Sequence, residues 1–198
     1  PHEPIFEFKR RTLVHFAVDT EEVWMTTRLA NKATHFLPFN KGNAEGSGNP
    51  ADPQGRTYRT AYLWEEILER HSFLDLLARF LHLQSEERRD DEGRKYKKES
   101  LIFPRYHQLQ AVRQLVTSAK EEEVGHNYLI EHSAGSGKSN TIGWLAHRLS
   151  SLHNAHDERI YDSVIVISDR RVLDQQLQET IYQFEHRHGV VQKIDKDS

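Results

Sequence analysis

The chain has no cysteine, one methionine, six prolines and no apolar run near the roughly 20 residues a membrane helix needs. Without cysteine there are no disulfides, no thiol nucleophile and no thiolate-held metal. An excess of one charge is missing too. The 27 Lys and Arg stand against 30 Asp and Glu, a formal charge of −3, so contact with nucleic acid has to come from local patches and not from an overall basic field. No basic and apolar leader follows Pro1. What is present suits a soluble, cytoplasmic protein: 198 residues, 36% hydrophobic and 29% charged, with nine Phe, seven Tyr and three Trp, enough for one large or two small domains. Thirteen histidines leave metal binding formally open. His147, His153 and His156 come close together in sequence, and His71, His82, His107, His126 and His132 are scattered. With no carboxylate set at ligand spacing, the histidines read as structural or surface residues.

Residues 13–27 alternate, with Asp19-Thr20-Glu21-Glu22 as the turn, and predict a hairpin. Between Phe39 and Tyr58 stand Gly42, Gly46, Gly48, Gly55, Pro50 and Pro53, a density that predicts a long surface loop free to move. Leu63, Ile67, Phe73, Leu74, Leu77, Phe80 and Leu81 fall at helical spacing over 63–83. Ser72 and Asp75 offer a capping-box variant that would open a second helix there. Residues 85–99 hold six acids and six bases with only Tyr96 as a large apolar residue, which reads as a solvated linker and domain boundary; a phosphate-binding patch at Arg94 to Lys98 is the sharper alternative. Beyond it, helices expected near 104–123, 138–152 and 172–185 alternate with strands at Tyr128-Leu129-Ile130 and Val164-Ile165-Val166-Ile167. That order predicts a parallel sheet with helices on its faces. The alternating Val190 to Asp195 just before the last residue, together with the Pro1 start, suggests a piece of a longer chain.

The strongest chemical signal is Ala134-Gly135-Ser136-Gly137-Lys138-Ser139, after an expected strand and opening an expected helix. Gly135 and Gly137 let the backbone wrap a phosphate, and the amides from Gly135 to Ser139 with the helix dipole favour an anion. Lys138 supplies a point charge between the β- and γ-phosphates of ATP, and Ser139 a hydroxyl for the bridging Mg²⁺. The full phosphate-loop pattern asks for Gly where this chain has His132. Glu7-Phe8-Lys9 matches a fragment of a nuclease metal site, but only six residues precede Glu7 and no upstream aspartate can complete it. The expectation is no DNA cleavage from this stretch.

Phe103 to Gln108, Tyr128 to Asn140, Trp144 to Leu149 and Val164 to Asp174 closely resemble the restriction subunit of type I restriction-modification enzymes, whose own phosphate loop carries the His-Ser-Ala-Gly-Ser-Gly-Lys-Ser form. Phe8 to Leu83 resembles the segment of that subunit between nuclease core and motor, around Lys9-Arg10-Arg11, Val14 to Asp19, Phe36 to Asn40 and Ala61 to Glu66. The resemblance implies an ATP- and Mg-dependent translocase of helicase superfamily 2, acting on double-stranded DNA, joined to an endonuclease and working with methylation and specificity subunits. The implied fold is α/β: the remainder of an α+β nuclease-type domain (1–84), the charged linker (85–100) and the start of a RecA-like parallel-sheet motor domain (101–198). Gln108 would meet adenine, which a Gln amide can both donate to and accept from; Arg105 and Tyr106 would flank the base, or Tyr106 would be core. Arg170, Arg171 and Gln175 or Gln176 would touch the DNA backbone. The expected nucleotide site is thus Gln108, Ala134, Gly135, Ser136, Gly137, Lys138 and Ser139, with Ser139 also the metal ligand. The acidic pair that activates water and the second motor lobe are not in this sequence, so the piece is expected to bind nucleotide without hydrolysing it. From a different class, a phosphate-loop kinase or nucleotide-sensing module without a DNA role fits the same loop.

Overall fold

In a computed structural model, residues 3–43, 46–168 and 171–183 are described, and the chain divides into two compact units, Pro1–His107 and Gln108–Ser198. In the first unit, β1 (His15–Val18) and β2 (Val23–Thr26) form the expected antiparallel hairpin, with Val18 opposite Val23 across the turn. The Asp19 carboxylate closes that turn by accepting from the backbone N–H groups of Glu21 (2.7 Å) and Glu22 (2.8 Å). Alternation along β2 buries Val23 and Met25 and leaves Trp24 outside. A two-residue strand, β3 (Leu37–Pro38), adds to the other side of β2; nothing in so short a stretch signals it in sequence.

The loop after β3 lacks regular structure, as its glycines predict, yet it is not loose at its ends. Asn49 is buried and its amide donates to the Glu21 carbonyl (2.8 Å) and Asn40 Oδ1 (2.9 Å), while its oxygen accepts from the Lys41 N–H (2.8 Å). The Thr60 hydroxyl donates to the Asp19 carbonyl (2.7 Å) and the buried Tyr62 hydroxyl to the Phe39 carbonyl (2.7 Å). Buried polar groups must find partners, and here those partners pin the loop's ends to the hairpin. An aromatic cluster fills the centre of the unit: Phe39 lies 5.6 Å from Phe16, 5.9 Å from Phe103 and 5.9 Å from Tyr106, and Tyr62 lies 5.3 Å from Tyr106. Tyr106 is therefore core.

Three expectations for this unit need correction. The helical spacing over 63–83 resolves into a π-helical turn (Leu63–Ile67) and α1 (Arg70–Arg79), and the chain leaves the helix at Phe80. The cap of α1 is Glu69, accepting from the N–H groups of His71 (2.8 Å) and Ser72 (3.0 Å), and not Ser72; an acidic side chain there also meets the positive end of the helix dipole. The charged stretch expected as a linker is a long hairpin, β4 (His82–Arg89) and β5 (Lys95–Ile102). Its balanced composition is the reason. Glu86 faces Lys98 and Glu87 faces Lys97 across the ladder, so acids and bases that look solvated in one dimension pair in two. Asp90 and Gly93, the latter at φ 78°, make the turn. The division between the units falls later, after His107.

In the second unit, α2 (Tyr106–Glu122, which begins just inside the first), α3 (Lys138–Ser150) and α4 (Arg171–Gln183) lie within the spans that periodicity predicts. Leu109, Val112, Val116 and Ala119 form the buried stripe of α2; α3 packs on α4, and Trp144 (1% exposed) on α3 and Leu177 and Ile181 on α4 are buried. The expected parallel sheet is not formed among the described residues. Residues 128–130 and 164–167 are extended without a strand partner; Leu129 is 95% and Ile167 88% exposed. An apolar run states what a segment can bury, not where its partner comes from, and pairing between segments this far apart is entirely non-local. Both sheets that do form are antiparallel and lie in the first unit.

Candidate functional site

The phosphate-type loop runs out of the extended segment at 128–133 and opens α3. Gly135 (φ 74°) and Gly137 (φ 83°) both take the left-handed conformation that only glycine adopts without cost, and Gly137 is the N-cap of α3. A Cβ on Gly135 would meet nothing within 4 Å, so the loop opens outward there. A Cβ on Gly137 would come within 2.5 Å of Gln108 Nε2. The two glycines therefore do different work: the first leaves space, the second admits a neighbour.

That neighbour is the feature the sequence pattern does not announce. Gln108, 3% exposed, donates from Nε2 to the Gly137 carbonyl at 2.8 Å. The same oxygen also accepts from the N–H groups of Asn140 (3.1 Å) and Thr141 (3.3 Å). Three donors on one carbonyl fix the peptide that follows Gly137 and hence the direction of the next amide. Gln108 thus meets the loop through the Gly137 carbonyl.

The amides of Gly137, Lys138 and Ser139 have no hydrogen-bond partner among the described residues, as the first turn of a helix requires. Lys138 is exposed, and its ammonium donates to the carbonyls of His132 (3.0 Å) and Ser133 (2.8 Å). Both contacts use backbone carbonyls, so they do not depend on which side chain stands at position 132. Ser139 is half-buried in the first turn of α3, Ser136 is buried, and Ala134 is exposed in the turn before Gly135. Free amides, a cation, a hydroxyl and two left-handed glycines, the first of them facing open space, form a donor set that fits a polyphosphate with its magnesium. Ser139 would hold the magnesium, whose charge would offset that of the phosphates.

The residues expected at the DNA backbone are not among the described side chains. Arg170 lies outside the described residues. Arg171 opens α4, with Gln175 and Gln176 in its next turn, and their side chains also lie outside what is described. Glu7 pairs with Arg10 (3.1 Å) and Lys9 with Glu99 (2.6 Å), so both are engaged within the protein. His147 is in α3, with Nε2 against the Ile181 carbonyl (3.0 Å), whereas His153 and His156 lie beyond its end. No cluster of three or more His, Asp or Glu able to hold a metal occurs among the described residues. No described helix is long and apolar enough to cross a membrane.

Residues 107–197 match a protein-family model described as SWI2/SNF2 ATPase, just under half of the chain, starting at the residue before Gln108 and covering the whole loop. The match points to a helicase-type ATPase of superfamily 2. No curated protein and no solved structure matches the chain.

Proposed function

We propose that the second unit grips ATP-Mg as the nucleotide-binding start of a DNA-translocating motor, and that the whole chain is part of the restriction subunit of a type I restriction-modification system. The observation that carries the nucleotide half is the loop: glycine-shaped, with free helix-terminal amides and Lys138 poised over it, inside a segment that matches a superfamily 2 ATPase family. In this reading ATP displaces the two carbonyls from Lys138, and the ammonium moves to phosphate oxygens, a charge-assisted contact stronger than the one it leaves. Gln108, already holding the Gly137 carbonyl, keeps the loop in shape. The restriction assignment is supported by the resemblance of Phe8 to Leu83 and of the stretches around the loop to that subunit; double-stranded DNA and the methylation and specificity subunits are the partners it brings.

The decisive measurement is titration of the full chain with a fluorescent ATP analogue, with and without Mg²⁺. Lys138→Ala should weaken binding about 10- to 100-fold, the worth of one or two charge-assisted contacts. Ser139→Ala should abolish the gain from Mg²⁺ while leaving metal-free binding in place. Unchanged affinity in Lys138→Ala overturns the proposal.

A further inference from the structure

The β4–β5 hairpin belongs to the first unit, and its ion pairs leave some of its cations unmatched. Arg88 holds Glu86 through Nε and Nη2 (3.2 and 2.9 Å), Arg94 holds both Asp90 (3.0 Å) and Glu92 (2.7 Å), Lys95 holds Glu87 (3.5 Å), and Lys9 from outside the hairpin holds Glu99 (2.6 Å). Five of the six acids are thereby engaged. Among the described residues Arg89, Lys97, Lys98 and Asp91 make no ion pair, and the carboxylates of Glu86 and Glu87, which face Lys98 and Lys97 across the ladder, are held by Arg88 and Lys95.

The placement of Arg89 is not what ribbon stability asks for. Arg89 stands directly opposite Lys95, a like-charge cross-strand pair that destabilises a ribbon. Residues 85–89 and 91–98 are exposed, so both faces of the outer half are in solvent, and a ribbon of two strands alone is marginal in water. Arg89, Lys95 and Lys97 lie on one face, and Lys98 with Arg88 and the exposed Tyr96 on the other.

We propose that the outer half of this hairpin is a contact site for the phosphate backbone of duplex DNA, with Arg89, Lys97 and Lys98 as its phosphate ligands. The shape selects the occupant. A two-stranded ribbon fits the B-form major groove, about 12 Å wide, which sets phosphates on both sides of it, whereas the deep, narrow major groove of duplex RNA does not admit one. Cations on both faces of the ribbon then meet both groove walls. The site is built from residues of the first unit and needs no nucleotide, so it goes beyond the motor reading.

The test is fluorescence anisotropy of the full chain with a labelled DNA duplex over a salt series, with a duplex RNA of equal length beside it. The triple variant Arg89→Gln/Lys97→Gln/Lys98→Gln should reduce the slope of log affinity against log salt by about 2.7, near 0.9 for each lost phosphate contact, and weaken binding at least tenfold at low salt. Each single change should remove about one unit of slope. Asp91→Asn removes an opposing charge without touching the ladder and should tighten binding, an outcome that a misfolded variant cannot produce. RNA should bind more weakly and lose little in the triple variant. No DNA binding by the unaltered chain, the same slope in the triple variant, or equal losses with RNA each overturn the proposal. ATP binding measured on the same samples separates the two readings: its absence with a changed slope counts against the motor alone, and its presence with an unchanged slope against the hairpin alone.

Discussion

At the scale of single residues, the loop depends on Gly137 for two reasons that act together. Its φ of 83° costs an L-residue about 1–2 kcal/mol, and a methyl group there would collide with Gln108 Nε2. Gly137→Ala should therefore lower thermal stability by at least that amount and weaken ATP, while Gly135→Ala, strained but open, should pay for the backbone alone. Differential scanning of the two variants separates clash from strain. The glycines are readable from the sequence as a phosphate-loop pattern; the hydrogen bond from Gln108, 29 positions earlier, is not, because no local rule connects a helix start to a peptide that distant. Tyr62 makes a similar point in the first unit. Burial pushes its hydroxyl well above the ordinary phenol range, and it donates to the Phe39 carbonyl. Tyr62→Phe keeps the ring packing and orphans that oxygen, for an expected loss of about 1 kcal/mol by urea denaturation.

Among elements, four exposed carboxylates hold turns and caps by accepting backbone N–H groups: Asp19 from Glu22 and Glu21, Asp52 from Gln54 and Arg56, Glu69 from Ser72 and His71, and Asp90 from Arg94. Each is held below its ordinary value because these bonds favour the charged form. A carboxyl whose folded value is depressed stabilises the protein above its unfolded value, near pH 4, and that contribution is lost as pH falls through the folded value. Thermal melts should thus be flat from neutrality to about pH 5 and fall below about pH 4. Glu69→Gln should lower the melting temperature near neutrality and shallow the acid limb, because its cap no longer titrates. The π-helical turn and α1 follow from apolar spacing in the sequence, but the position of the cap depends on where the chain bends. The same limit applies to the β4–β5 hairpin: a run of mixed charge has no apolar period, so its pairing emerges only when the two strands lie side by side.

For the whole molecule, the contrast lies between side chains that are apolar and buried and those that are apolar and bare. Trp144 on α3 is buried, and Trp144→Ala should cost about 3–5 kcal/mol. Leu129→Lys should change stability by less than about 0.5 kcal/mol, since Leu129 is almost wholly in solvent. It should also lower the binding of a hydrophobic dye, because bare apolar side chains are what such a dye reports. A large loss of stability in Leu129→Lys would mean that the 128–130 segment is packed after all. Local pattern in the sequence determined the β1–β2 hairpin, the spans of α2, α3 and α4, and the phosphate-type loop, because turn chemistry, a 3.6-residue apolar period and paired glycines act over a few neighbouring residues. Only the tertiary structure decided that the charged run is a ribbon, that Glu69 caps α1, that Gln108 clamps Gly137, and that the two apolar segments have no sheet partner among the described residues. Each of these is a meeting of residues distant in the chain or a choice among nearby donors, and such meetings are set by which surfaces come together, not by the order of the amino acids alone.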